Sequence, residues 1–334
     1  MGLFRMNKKL TAYGEAIREG FQYILNNNEK SFVIGQGLWS PWYVGNSMRD
    51  LDKEFGKKRI IDTPVSELAT TGAAIGAGLN GYSVVVVHPR MDFMLYAMDA
   101  IVNEAAKWSH MTGGQGHPSL TIRSIINRGG EQGAQHSQAL HNWFAHVPGL
   151  RVVMPSSVAD ARDLLIASVL SQDPVMYIDD RWLYEQEDIL KPVEELDLND
   201  ITPLVVTKGE DITLVASSFS TLVAKRSQQM LINEGIKPEI IDLRVINPMN
   251  YDLILDSVKK TGRLAVIDSG WTSSGFSSEI ITSVVEKLNP EIFKSSPIRI
   301  ALPDAPAPTS RFLEKNYYFD EKDVVEKIKS LFNS

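Results

Sequence analysis

Residues 59–87 read Arg59-Ile-Ile-Asp-Thr-Pro-Val-Ser-Glu67-Leu-Ala-Thr-Thr-Gly72-Ala-Ala-Ile-Gly76-Ala-Gly78-Leu-Asn-Gly81-Tyr-Ser-Val-Val-Val-Val87. Arg59–Asp62 is apolar and strand-length, and Pro64 then ends it. Ser66–Gly78 has helical spacing, with Glu67 in the first turn, where a carboxylate suits the helix dipole. Tyr82–Val87 is a run of β-branched residues without polar alternation, the mark of a strand buried on both faces. Strand, helix, strand within about thirty residues predicts a parallel pair with a crossover helix. Gly76-Ala-Gly78-Leu-Asn-Gly81 also satisfies G-x-G-x-x-G, but it closes a helix and precedes a strand. Dinucleotide binding needs the reverse order, so this motif is not read as a nicotinamide site.

The same alternation extends outward in both directions. Upstream, residues 11–28 predict a helix capped by Thr11, followed by a strand at Ser31–Gly35 and a helix at Ser47–Phe55. Downstream come a helix at Asp92–Trp108, a strand at Ser119–Ile125 and a glycine-rich, flexible loop at 126–135. A helix with His136 at its start, over His136–Ala145, leads to strand Arg151–Met154, helix Val158–Ser171 and strand Val175–Ile178. Residues 181–202 are acidic and irregular, which reads as a linker. Alternation then resumes from Ile212 to Ala301, giving strands at Ile212–Ala216, Glu239–Leu243, Leu264–Asp268 and Ile298–Ala301 between helices at 220–234, 250–259 and 274–287. The expected fold is α/β with two doubly wound domains.

Composition narrows the chemistry. The chain has 334 residues, enough for two domains, and a net charge of −7, which gives no support to nucleic acid or an anionic membrane as partner. There is no cysteine, so disulfides, thiolate nucleophiles and cysteine metal sites are excluded. Apolar runs such as Val84–Val87 are far short of a membrane span, and a cytoplasmic location is the expectation. Met1–Met6 resembles the opening of a myristoylation site, but Met6 stands where Ser or Thr is needed. All six histidines lie within residues 88–146, and 18 of the 23 glycines precede residue 151. Close backbone approach and proton chemistry are therefore expected in the first half. His136, His141 and His146 are five apart, a spacing that rules out an H-E-x-x-H zinc pair. Gly72, Ala73, Gly76 and Ala77 leave a helix with an almost bare face, which serves either close packing within the domain or a subunit interface.

Taken together, several stretches resemble the beta subunit of the thiamine diphosphate-dependent 2-oxo acid dehydrogenase component, the family of the pyruvate, branched-chain and acetoin enzymes. They are Arg59–Glu67, Gly72–Gly76, Asp92–Lys107, Met111–Gly114, Gln135–Gln138, Trp143–Ser156, Asp242–Pro248, Asp268–Trp271 and Pro303–Pro306. The resemblance covers nearly the whole chain in order. It implies a pyrimidine-binding, transketolase-like domain at 7–185, a linker at 186–202 and a transketolase C-terminal-like domain at 203–334. Thiamine diphosphate is activated through its own 4′-imino group, which needs a carboxylic acid on the distal pyrimidine nitrogen, and Glu67 aligns with the family's glutamate for that task. Phe93 aligns with the aromatic residue that stacks on the pyrimidine. His136 aligns with the histidine that moves protons and meets a lipoyl arm. A potassium ion held by backbone carbonyls is implied near Leu120, Ser168, Val169, Ser171 and Asp173.

No Gly-Asp-Gly…Asn stretch for magnesium and diphosphate is present in the chain. The resemblance places it on a separate alpha subunit, implying an α2β2 enzyme. That enzyme decarboxylates a small 2-oxo acid and reductively acylates the lipoyl group of an acyltransferase core. Two further readings remain open: a two-chain carboligase or ketol transferase without a lipoyl partner, and a non-catalytic homologue. The sequence departs from the family pattern around the pocket. Gln36 stands where an acid is common, Val87-His88-Pro89-Arg90 replaces a Glu-Phe-Met-like segment, and Ser124–Asn127 replaces an Arg-x-Pro-x-Gly turn. Trp39, Trp42 and Tyr43 form an aromatic loop beside it.

Overall fold

A computed structural model describes residues 10–332. The reading of Met1–Met6 and the first residues of the 7–185 segment lie outside them. Among the described residues no helix is long and apolar enough to cross a membrane.

The four consecutive valines build the centre of the larger sheet. Val84 and Val86 face one apolar core while Val85 and Val87 face another, as the two-residue repeat of a strand requires. Each is buried, worth roughly 1.5–3 kcal/mol relative to exposure. This seven-stranded sheet runs Val245–Asn247, Arg151–Val153, Val175–Asp180, Leu120–Ile126, Ser83–His88, Ser31–Gln36, Ile60–Thr63. All its pairs are parallel except that of the edge strand Val245–Asn247, which comes from the second half of the chain. Helices Tyr13–Asn27 and Val158–Leu170 pack together on one face. Helix Glu67–Leu79 lies on the other.

The five-stranded sheet has the order Leu204–Thr207, Pro238–Asp242, Ile212–Ala216, Leu264–Trp271, Ile298–Leu302. Its inner face shares one continuous core with the larger sheet, through Val215, Ile241 and Val266 packed with Ile122, Met154 and Met176. Buried polar groups cross the seam: Ser156 donates to Asp242, Arg244 pairs with Asp160 at 2.7 Å, and His141 Nε2 meets Asp268 Oδ1 at 2.9 Å.

Several local expectations are corrected. Thr11 is not a cap; it lies in a strand, Leu10–Ala12, that pairs with Glu187–Ile189, so the acidic 181–202 stretch is partly ordered β-structure. The Asp92–Trp108 helix is interrupted: Met91–Met94 is α-helical, Leu95–Ala97 is 3₁₀, and Ala100–Ala105 is a π-helix closed by Ala106 N–H on Ile101 O at 3.0 Å. The helix near His136 starts only at His141, which leaves His136 in a turn. The loop at 126–135 is tethered rather than free. Arg128 pairs with Asp180 and lies over the Trp182 ring at 4.8 Å, and Glu131 N–H donates to Glu314 Oε1 at 3.1 Å.

Candidate active site

A cleft opens at the carboxyl ends of Ser31–Gln36, Ile60–Thr63 and Ser83–His88. The two central strands, Ser31–Gln36 and Ser83–His88, are neighbours whose onward connections lead to opposite sides of the sheet. That is the crevice where open parallel sheets bind ligands. Its floor needs glycine at Gly35, where a Cβ would stand 2.4 Å from the Val87 carbonyl oxygen. Gly37 follows with φ +70°, and a side chain there would strike the Tyr43 ring. This turn is held by Asp62, whose Oδ1 accepts the Gly37 N–H at 2.7 Å. Trp39 Nε1 donates to Ile60 O at 2.8 Å, and Tyr43 from the same aromatic loop lines the cleft.

Glu67 and Phe93 both line this cleft. Glu67 is half-buried and opens helix Glu67–Leu79, behind Pro64 and Ser66. Phe93 sits on the short helix Met91–Met94 and keeps 36% of its surface exposed, so a ring face remains available. His136 does not line the cleft itself; its ring stands edge-on to Phe93, with centroids 5.1 Å apart. Distant chain segments are joined here by Asp92, whose Oδ1 accepts the Gln138 main-chain N–H at 3.1 Å and its side-chain amide at 2.9 Å. Burial raises the Asp92 carboxyl, and those two hydrogen bonds oppose the shift. Asp92 was expected only as part of a matching stretch. Its clamping role has no local signal, because the partner lies 46 residues away.

His88 also lines the cleft, on its wall, and shares a 3.1 Å hydrogen bond with Thr71 Oγ1. Burial pushes its imidazole down to about 4, so it is neutral near pH 7. His141 is committed to the seam through Asp268. Burial raises the Asp268 carboxyl, but the facing His141 and the N–H groups of Gly270 and Ser277 outweigh it and lower it on balance.

The residues considered for potassium lie at the opposite, amino end of the sheet. Leu120 begins its strand, Ser168 and Val169 occupy the last turn of helix Val158–Leu170, and Ser171 and Asp173 follow. Ser119 Oγ donates to Ser171 O at 3.3 Å and joins the two segments. Carbonyls in a last helical turn lack intrahelical partners, so the donor set suits a cation held by main-chain oxygens. The Asp173 carboxylate is already taken by Arg151 at 2.8 Å.

The bare face of helix Glu67–Leu79 resolves one of the two openings left by the sequence. Gly72, Ala73 and Gly76 are exposed, and a Cβ on either glycine would meet no atom within 4 Å. Among the described residues nothing packs against this face. Gly78, on the other side, is packed: a Cβ there would stand 3.1 Å from the Ser119 backbone. The Gly76–Gly81 motif ends the helix, with Gly81 at φ +82°, as its order in the sequence requires.

Residues 9–186 match the transketolase pyrimidine binding domain, and residues 203–324 match the transketolase C-terminal domain. The pyruvate dehydrogenase E1 component subunit beta of Rickettsia felis is 32% identical, over 95% of this chain and 97% of that protein. The corresponding subunit of Rhizobium meliloti is 33% identical over 95% of this chain and 69% of that protein. The mitochondrial subunit of Bos taurus is 31% identical over 96% and 90%. A solved structure described as a split gene transketolase, inactive beta4 tetramer, superimposes with a TM-score of 0.78 over 96% of this chain and 98% of that one. At 18% identity it bears on the fold alone. The chain belongs to the pyruvate dehydrogenase E1 beta-subunit family, built from a transketolase pyrimidine-binding domain followed by a transketolase C-terminal domain.

Proposed function

We propose that this chain is the beta half of a thiamine diphosphate-dependent 2-oxo acid dehydrogenase. With an alpha chain, as α2β2, it decarboxylates a 2-oxo acid and transfers the acyl group to a lipoyl arm of an acyltransferase core. The observation that carries the reading is the cleft itself, where Glu67 and Phe93 line one strand-end crevice and His136 stands against Phe93. When bound, thiamine diphosphate supplies the carbanion chemistry that no side chain here offers. Glu67 holds a proton at the pyrimidine's distal nitrogen, Phe93 presents its ring face for stacking, and His136 moves a proton at the rim. Asp92 fixes the distance between the last two through Gln138. Magnesium and the diphosphate fall to the alpha chain, since no Gly-Asp-Gly…Asn stretch exists here. A potassium ion on the carbonyls around Leu120 and Ser168–Asp173 would brace the far end of the sheet. The exposed face at Gly72 and Gly76 serves the subunit contact.

The test is Glu67→Gln in the reconstituted enzyme, followed by solvent exchange of the cofactor's C2 proton. Loss of this single proton contact should slow exchange and turnover about 10²–10⁴-fold. Near-normal exchange would remove Glu67 from the mechanism. A two-chain ketol transferase is the second reading, favoured by the cation Arg90 on the cleft wall, where the family pattern has none.

A further inference from the structure

Arg90 lines the same cleft as Glu67 and Phe93, just after the strand Ser83–His88 ends. It is half-buried, and both of its hydrogen bonds leave from Nη1, one to the Gln132 side-chain oxygen and one, at 3.3 Å, to the His136 carbonyl. Both acceptors are neutral. By contrast, Arg123, Arg128, Arg162 and Arg244 are each paired with an aspartate. Arg90 has no such partner among the described residues. Asp92, the acid that most attracts it, spends its Oδ1 on Gln138.

Two acids expected from the resemblance are missing on the same wall. Gln36 takes one position and donates to the Tyr43 hydroxyl at 2.7 Å; Val87 begins the segment that replaces the other. Arg181 adds a second cation nearby, donating to the Tyr43 carbonyl at 3.0 Å. Burial accordingly pulls the Arg90 guanidinium below its ordinary value. A partly desolvated cation with no salt-bridge partner favours an anionic ligand, and the planar fork of arginine suits carboxylate or phosphate.

We propose that Arg90 is the specificity-determining residue of this cleft, and that the donor substrate carries, away from the bond that is cleaved, an anionic group, carboxylate or phosphate, which Arg90 binds. This deepens the functional reading above and rests on it for the location of the reacting centre. The group that is cleaved is a poor candidate. A cation fixed on a departing carboxylate stabilises the bound substrate more than a transition state in which that charge is dispersing. A group that survives the reaction carries no such penalty.

The experiment uses the reconstituted alpha–beta complex with thiamine diphosphate. Equilibrium binding and kcat/KM are measured for 2-oxobutanoate, 2-oxoglutarate and xylulose 5-phosphate, with the unchanged chain, Arg90→Gln and Arg90→Lys. The unchanged complex should favour 2-oxoglutarate or xylulose 5-phosphate over 2-oxobutanoate, whose only anionic group is the carboxylate that is cleaved. Arg90→Gln should reduce that preference about 10- to 100-fold, the loss expected for a charge-assisted hydrogen bond, and Arg90→Lys should keep part of it. A preference for 2-oxoglutarate assigns a carboxylate. A preference for xylulose 5-phosphate assigns a phosphate and counts against the dehydrogenase reading while leaving Arg90 in its role. Binding is read whether or not turnover occurs, so an inactive complex still decides the question. Equal binding of all three donors overturns the proposal, as does a preference that Arg90→Gln leaves unmoved. So does an Arg90→Gln that weakens only thiamine diphosphate.

Discussion

His88 shows what a single buried side chain implies for the behaviour of the site. Its imidazole is held at about 4, against an ordinary value of 6.5, by burial beside Thr71. The folded value lies below the unfolded one, so the unfolded chain binds the extra proton first as pH falls. The stability due to neutral His88 is thus fully present above pH 6.5 and is lost as pH falls from there toward 4. At pH 4.5 the loss should reach about 2–3 kcal/mol. Urea unfolding at pH 7 and pH 4.5 measures it, and His88→Gln, which never charges, should flatten the difference. Equal slopes in both proteins would contradict this assignment. Glu67, Phe93 and His136 are candidates from matching stretches of sequence, and the structure places Glu67 and Phe93 in one cleft with His136 against Phe93. His88 and Asp92 were not legible in the sequence, because their roles depend on Thr71 and Gln138, which only the fold brings to them.

At the scale of elements, long regular segments were legible and short ones were not. Val84–Val87 announced its strand because both faces are buried and every residue is β-branched. Val245–Asn247 and Glu187–Ile189 are three-residue strands, too short for any repeat, and their existence depends on partners far away in sequence. The π-helix at Ala100–Ala105 escaped because one widened turn hardly changes an apolar period. The bare face of helix Glu67–Leu79 was legible as a face, but its destination was not. Gly76 sits mid-helix with open space beyond it. Gly76→Ala should therefore stabilise the isolated chain by about 0.5–1 kcal/mol in a thermal melt, through helix propensity alone. Gly76→Leu should leave the chain folded yet weaken assembly in sedimentation with an alpha chain. Unchanged assembly with leucine there would show that this face meets no partner.

For the molecule as a whole, two sheets share one core, and the cleft with Glu67 and Phe93 opens at the strand ends of the larger sheet. Two α/β units were legible from the alternation of strands and helices. Their fusion was not, since the seam is made by the edge strand Val245–Asn247 and by pairs such as His141–Asp268. The cleft offers groups suited to a pyrimidine, a stacking ring, a half-buried carboxylate and a neighbouring imidazole, but the chain has no stretch for magnesium and diphosphate. On this account it is half of a cofactor site. Calorimetry of thiamine diphosphate with magnesium, titrated into this chain alone, into an alpha chain alone and into their mixture, tests that claim most directly. Tight binding and 2-oxo acid decarboxylation only in the mixture is the predicted result. Micromolar binding and turnover by this chain without a partner would contradict it.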